Sequence, residues 1–108
     1  METYTVRDLR DRTSDLIRGA EEGHLAVITK HGHPVFVAVP FDETLLREGV
    51  GTALAIHLFR DEKAGLAQAA RIAGVSASEM MDILAAHHVP LVKYSADELA
   101  DELGQFSK

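Results

Sequence analysis

Residues 27–40 read VITKHGHPVFVAVP. Two apolar runs, residues 25–29 and 34–39, flank the polar stretch Lys30-His31-Gly32-His33. Both runs are rich in β-branched residues and bounded by turn formers, the pattern of paired strands. Gly32 tolerates the positive φ that a tight hairpin turn requires. Pro34 opens the second strand, where a missing N–H is tolerated, and Pro40 closes it. The stretch is a hairpin with a basic, exposed tip, and it organises the chain on either side.

Upstream, residues 3–6 alternate and carry Tyr4 and Val6, which predicts a short strand. From residue 6 to about 22 the positions Val6, Leu9, Thr13, Leu16, Ile17 and Ala20 recur at helical spacing. Gly23 ends this single expected helix, as a C-terminal glycine commonly does. The order by Pro40 is β-α-β-β. A three-stranded sheet with one helix buries little apolar surface, so it would gain most from a second copy.

Downstream, residues 41–48 form an expected short helix with Asp42 as its N-cap. The segment EGVG at 48–51 is the candidate boundary. Residues 52–61 are helical in pattern. Residues 65–73 and 77–88 follow as two helices about Gly74-Val75-Ser76, a helix-turn-helix arrangement. Ser76 and Glu79 stand in the S-x-x-E spacing of a capping box. Residues 89–94 read as extended and 96–103 as a final acidic helix. The expected class is α+β. A β-α-β-β head, residues 1–48, dimerises through its sheet and first helix. An all-α helix-turn-helix module, residues 49–108, follows it.

A chain of 108 residues is one ordinary domain or two very small ones. The absence of cysteine excludes disulfides and thiolate metal sites and fits a reducing compartment. Apolar runs are far shorter than a membrane span, and residues 1–20 lack the apolar core of a secretory signal. A cytoplasmic oligomer is expected. The net charge of -6 argues against a nucleic-acid partner, which usually selects a basic footprint. The charge is uneven, however. Arg7, Arg10, Arg12 and Arg18 lie among Asp8, Asp11 and Asp15, whereas Asp97, Glu98, Asp101 and Glu102 crowd the other end.

Arg7, Arg10 and Arg12 are candidate phosphate contacts, or a solvated face with i,i+4 pairs such as Arg7–Asp11 and Asp8–Arg12. Lys30 and His31 are a DNA-contacting tip, or a polar tip that resists aggregation. The second helix of the helix-turn-helix carries Glu79 and Asp82 and no Lys or Arg. That composition suits protein interaction better than groove reading. In the repeat D-E-L-x-D-E-L, Leu99 and Leu103 share one helical face, and Asp97 with Asp101 another. With Phe106 these residues suit a segment laid on a partner, or one packed on its own domain. The histidines lack H-x-x-x-H or H-E-x-x-H spacing, so no metal site is expected. There is no G-x-S-x-G, P-loop or dinucleotide loop. No enzymatic activity and no cofactor are expected.

The stretch TVRDLRDRTSDLIRGAEEGHLAVITKHGHPVFVAVPFDETLL resembles antitoxins of the Phd/YefM type. The likeness lies in the leading strand, the L-R-x-x-x-S-x-L-I helix of residues 9–17 and the V-I-T-K-x-G-x-P-V-x-V-x-V-P hairpin. It covers about the first 45 residues. It implies a homodimer whose sheets join and whose helix starts and hairpin tips meet operator DNA, with Arg10, Lys30 and His31 at the contacting positions. His31 stands where a second arginine or lysine is typical, and a histidine carries only partial charge at neutral pH. Residues 52–103 resemble an uncharacterised prokaryotic family of short helix-turn-helix proteins. These are often found as presumed antitoxins beside PIN-domain ribonuclease toxins. The two resemblances together imply an antitoxin that neutralises a PIN-type ribonuclease and represses its own promoter as a dimer. Leu99, Leu103 and Phe106, with Asp97 and Asp101, are then the toxin contacts. The alternatives are a stand-alone transcriptional regulator without a toxin, or an adaptor without DNA affinity.

Overall fold

The β1 strand, Glu2–Thr5, pairs in parallel with β2, Ala26–Lys30, and β2 pairs antiparallel with β3, His33–Ala38. These assignments come from a computed structural model that describes residues 1–91. The sheet order is β1-β2-β3, with β2 in the centre. Parallel neighbours need a long crossover. Here it carries two short helices, α1 (Asp8–Asp11) and α2 (Thr13–Glu21). Beyond the sheet come α3 (Glu43–Glu48), α4 (Val50–Arg60), α5 (Leu66–Ala73) and α6 (Ala77–Ala86). The fold is α+β, with the sheet first and the helices after it. Contacts divide the chain into two units, Met1–Ala53 and Leu54 onward, at a point inside α4.

In the first unit, residues in register share a face of the sheet, because side chains alternate along a strand. Tyr4, Ile28 and Phe36 are in register, as are Glu2, Ala26 and Ala38. On this face Tyr4, Ala26 and Ile28 form a small buried core against Leu9, Leu16 and Ala38. The single helix expected over residues 6–22 is instead two helices. The Thr13 hydroxyl donates to the Leu9 carbonyl, the acceptor that a continuous helix reserves for the Thr13 N–H. Arg12, at φ -124 and ψ 33, takes up the break. The end of α2 is as expected. Gly23 at φ 86 lets the Gly23 and His24 N–H groups turn back to the Ala20 and Gly19 carbonyls, at 3.0 and 2.8 Å.

The β2–β3 turn has two residues, His31 (φ 53) and Gly32 (φ 79). Positive φ at both positions matches the twist of the flanking strands. The register then slips by one: Ile28 faces Phe36, but Thr29 faces Pro34, so Val35 is an extra residue on β3. This edge strand exposes Val35, Phe36 and Val37. The α3 helix is capped as expected, with the Asp42 carboxylate accepting from the Leu45 N–H at 3.0 Å.

In the second unit, Ala55, Ile56 and Phe59 of α4 join Leu66, Ala69, Ala70, Ala77, Met80, Leu84 and Val89 in one buried cluster. Alanines on α5 present little side chain, so its backbone can approach a neighbour closely. The Val75 N–H bonds the Ala70 carbonyl at 3.0 Å and closes α5. Ser76 then caps α6 by accepting from the Glu79 N–H at 3.1 Å. The return arm differs from a full capping box: the Glu79 carboxylate accepts from the Ser76 hydroxyl, at 3.2 Å. The α6 helix ends with His88 at φ 59 and the Val89 N–H on the Leu84 carbonyl at 2.9 Å. The expected acidic helix of residues 96–103 lies outside the described residues.

Candidate functional site

The carboxyl ends of β1 and β2 lie side by side, because the two strands are parallel and Thr5 is in register with Thr29. The Val6 N–H continues this pairing to the Thr29 carbonyl at 3.0 Å. The chain leaving β1 therefore starts its helix beside the hairpin tip. A reciprocal pair of hydrogen bonds fixes that start. The Asp8 carboxylate accepts from the Thr5 N–H at 2.9 Å, and the Thr5 hydroxyl accepts from the Asp8 N–H at 3.1 Å. This is the reciprocal bonding of a capping box, in T-x-x-D form, made across the turn that leads into α1. The Thr5 N–H, aided by the Thr5 hydroxyl and by Arg12 and Arg7, holds the Asp8 carboxyl below its ordinary 3.8 against the opposing effect of burial. Asp8 is thus charged at neutral pH and committed to the turn.

Two open clefts flank Val6 and Arg7. One, about 390 Å³, is lined by Thr5, Val6, Arg7, Thr29, Lys30 and His31. The other, about 340 Å³, is lined by Val6, Arg7, Arg10 and Asp11. Asp11 lines the second cleft with Arg7 and Arg10, and the Asp8 carboxylate is near enough to Arg7 to feel its charge. Among the described residues, Arg7, Arg10 and Lys30 make no ion pair within 4.0 Å, whereas Arg12 and Arg18 do. Cations grouped in this way raise the local positive potential and repel one another.

Four of the five basic candidates converge here: Arg7, Arg10, Lys30 and His31. Arg12 does not. It reaches Asp15 at 3.3 Å and Asp8 at 3.9 Å, and its guanidinium lies 4.8 Å from the centre of the Tyr4 ring. The expected Asp8–Arg12 pair is therefore present, and an Arg7–Asp11 ion pair within 4.0 Å is not among those of the described residues. Tyr4 itself is buried and donates to Glu2 at 3.0 Å; burial first, then Glu2, raises its pKa above 10.0. Thr5, Val6 and Thr29 line the clefts too, and none was a sequence candidate. The signal that could have found Thr5 and Val6 is the T-x-x-D at residues 5–8; Thr29 joins them only through the parallel pairing.

Leu99, Leu103, Phe106, Asp97 and Asp101 lie outside the described residues. No group of three or more His, Asp or Glu side chains able to hold a metal occurs among the described residues. No helix among them is long and apolar enough to cross a membrane.

No curated protein and no solved structure matches the chain. A family model does match, over residues 35–107, from β3 to near the C-terminus. It begins inside the hairpin rather than at residue 52, so the family's segment includes the edge strand and α3. It leaves the clefts outside the match and lends no support to a Phd/YefM-type head. On that match, which spans well over half of its length, the chain belongs to the Uncharacterised protein family (UPF0175).

Proposed function

We propose that this chain is the antitoxin of a type II toxin–antitoxin pair. As a dimer it binds its own operator through the clefts around Val6 and represses its promoter. Through its C-terminal half it neutralises a PIN-type ribonuclease. It works by binding and occlusion, with no catalysis of its own.

The observation that carries the DNA half is the convergence of Arg7, Arg10, Lys30 and His31 at one end of the sheet, on a chain of net charge -6. The toxin half rests on the resemblance of residues 52–103 to presumed antitoxins found beside PIN-domain ribonucleases. Its contacts are Leu99, Leu103 and Phe106, with Asp97 and Asp101 complementing a basic RNA channel. Dimerisation is supported by the exposed apolar edge strand β3, which a second copy would cover. The α5–α6 pair serves as a protein-interaction module of helix-turn-helix type. Its exposed Glu79 and Asp82 would be repelled by phosphates.

A second reading, an adaptor without DNA affinity, is favoured by the overall negative charge. The two separate in one experiment. The chain is co-expressed with a PIN-domain ribonuclease encoded beside it, and the purified complex is titrated onto its own upstream DNA. Restored growth together with a salt-sensitive DNA shift is expected. Restored growth with no shift at low salt would keep the neutralisation and remove the operator, and neither rescue nor shift would refute the antitoxin reading and leave the adaptor.

A further inference from the structure

We infer that Arg7 is the pivot of the DNA interface, gripping two successive phosphates of one strand, the first shared with Lys30 and the second with Arg10. This rests on the DNA-binding reading above and assigns the work within it.

Arg7 and Val6 are the two residues that line both clefts. Lys30 lines one of these clefts and Arg10 the other. Arg10 follows Arg7 by one helical turn, its N–H on the Arg7 carbonyl at 3.0 Å, so the two side chains rise from one face about 5–6 Å apart at Cβ. Lys30 ends β2 next to Thr29, whose carbonyl accepts from the Val6 N–H. Arg7 thus stands between a cation on the strand and a cation on the helix. Its guanidinium has five donors in a fork and can serve two anions, whereas a lysine ammonium acts as a point charge. The capping box of Thr5 and Asp8 holds the backbone on either side, so Arg7 is presented rather than left to wander. Val6, 44% exposed, supplies an apolar floor between the two positions, suited to a sugar.

The test is the salt dependence of binding to a labelled duplex of roughly 20 base pairs, two helical turns. Each phosphate neutralised adds about 0.9 to the slope of log K against log salt. Each substitution removes one charge, so Arg7→Ala, Arg10→Ala and Lys30→Ala should each lower the slope by about 0.9 per protomer, whereas at one fixed low salt Arg7→Ala, which loses contacts to both phosphates, should weaken binding more than either neighbour does. Arg7→Lys should restore part of that loss. Arg7 is exposed, and thermal melts of each variant check that the fold is intact. If the wild type binds but Arg7→Ala weakens binding at that salt no more than either neighbour does, the pivot is wrong and the DNA reading stands. If the wild type does not bind the duplex even at low salt, the DNA reading fails and the pivot with it.

Discussion

In the helical unit ten buried residues form one cluster, from Ala55 to Val89, whereas in the sheet unit the cluster is Tyr4, Ala26 and Ile28. The surface shows the reverse. All nine exposed large hydrophobic residues among those described lie between Met1 and Val50, and Phe41, Leu46 and Val50 are each more than 60% exposed. The helical unit buries most of its apolar side chains internally. The sheet unit sends Val35, Phe36 and Val37 to an open strand edge. A unit with so small a core gains stability mainly by association, since each large apolar side chain buried contributes about 1.5–3 kcal/mol. The contrast is between a unit whose apolar side chains are mostly buried and one that leaves many of them at its surface.

The largest test of this contrast is in the cores. Phe59→Ala should cost about 3–5 kcal/mol in denaturant melts, because its cavity opens within a closed cluster. Ile28→Ala should cost nearer 2 kcal/mol, because the small core beside an open edge can collapse around the gap. A larger loss at Ile28 than at Phe59 would break the comparison. A smaller effect is expected at the edge. Phe36→Lys places a charge on β3 and should weaken self-association at least about tenfold, or 1.4 kcal/mol. The wild-type melting temperature should rise with concentration while that of the variant stays level. A wild type whose melting is independent of concentration would leave the exposed edge without its proposed partner.

The smallest effect is electrostatic and local to the cleft. Asp8 has a depressed carboxyl pKa in the fold, so its contribution is present above the ordinary 3.8 and is lost as pH falls through the folded value. Acid titration of the sheet unit should show this loss below pH 3.8, and Asp8→Asn should flatten it. An unchanged acid limb in Asp8→Asn would remove the capping box from the account of how Arg7 is held.

The legible parts of the sequence were those whose causes are local. The hairpin turn at His31-Gly32, the stop at Gly23 and the caps at Asp42 and Ser76 each satisfy hydrogen bonds within a few residues. The break at Arg12 was not legible, because the apolar spacing runs straight through it and the Thr13 hydroxyl's bond back to the Leu9 carbonyl leaves no mark in that spacing. The extra residue at Val35 was hidden for a similar reason: a run of apolar residues carries no alternation that could betray a slipped register. Of the basic candidates, composition placed Arg12 alongside Arg7 and Arg10. The fold engages it, still exposed, with Tyr4, Asp8 and Asp15.

What the sequence determined by itself is therefore the list of elements and their ends, since short-range hydrogen bonds and backbone preferences suffice for those. Which cations meet was decided only by the tertiary structure. Arg7 and Lys30 lie on different elements, and nothing in their spacing joins them. The parallel pairing of Thr5 with Thr29 brings the ends of β1 and β2 together, and with them an arginine and a lysine that the sequence keeps apart.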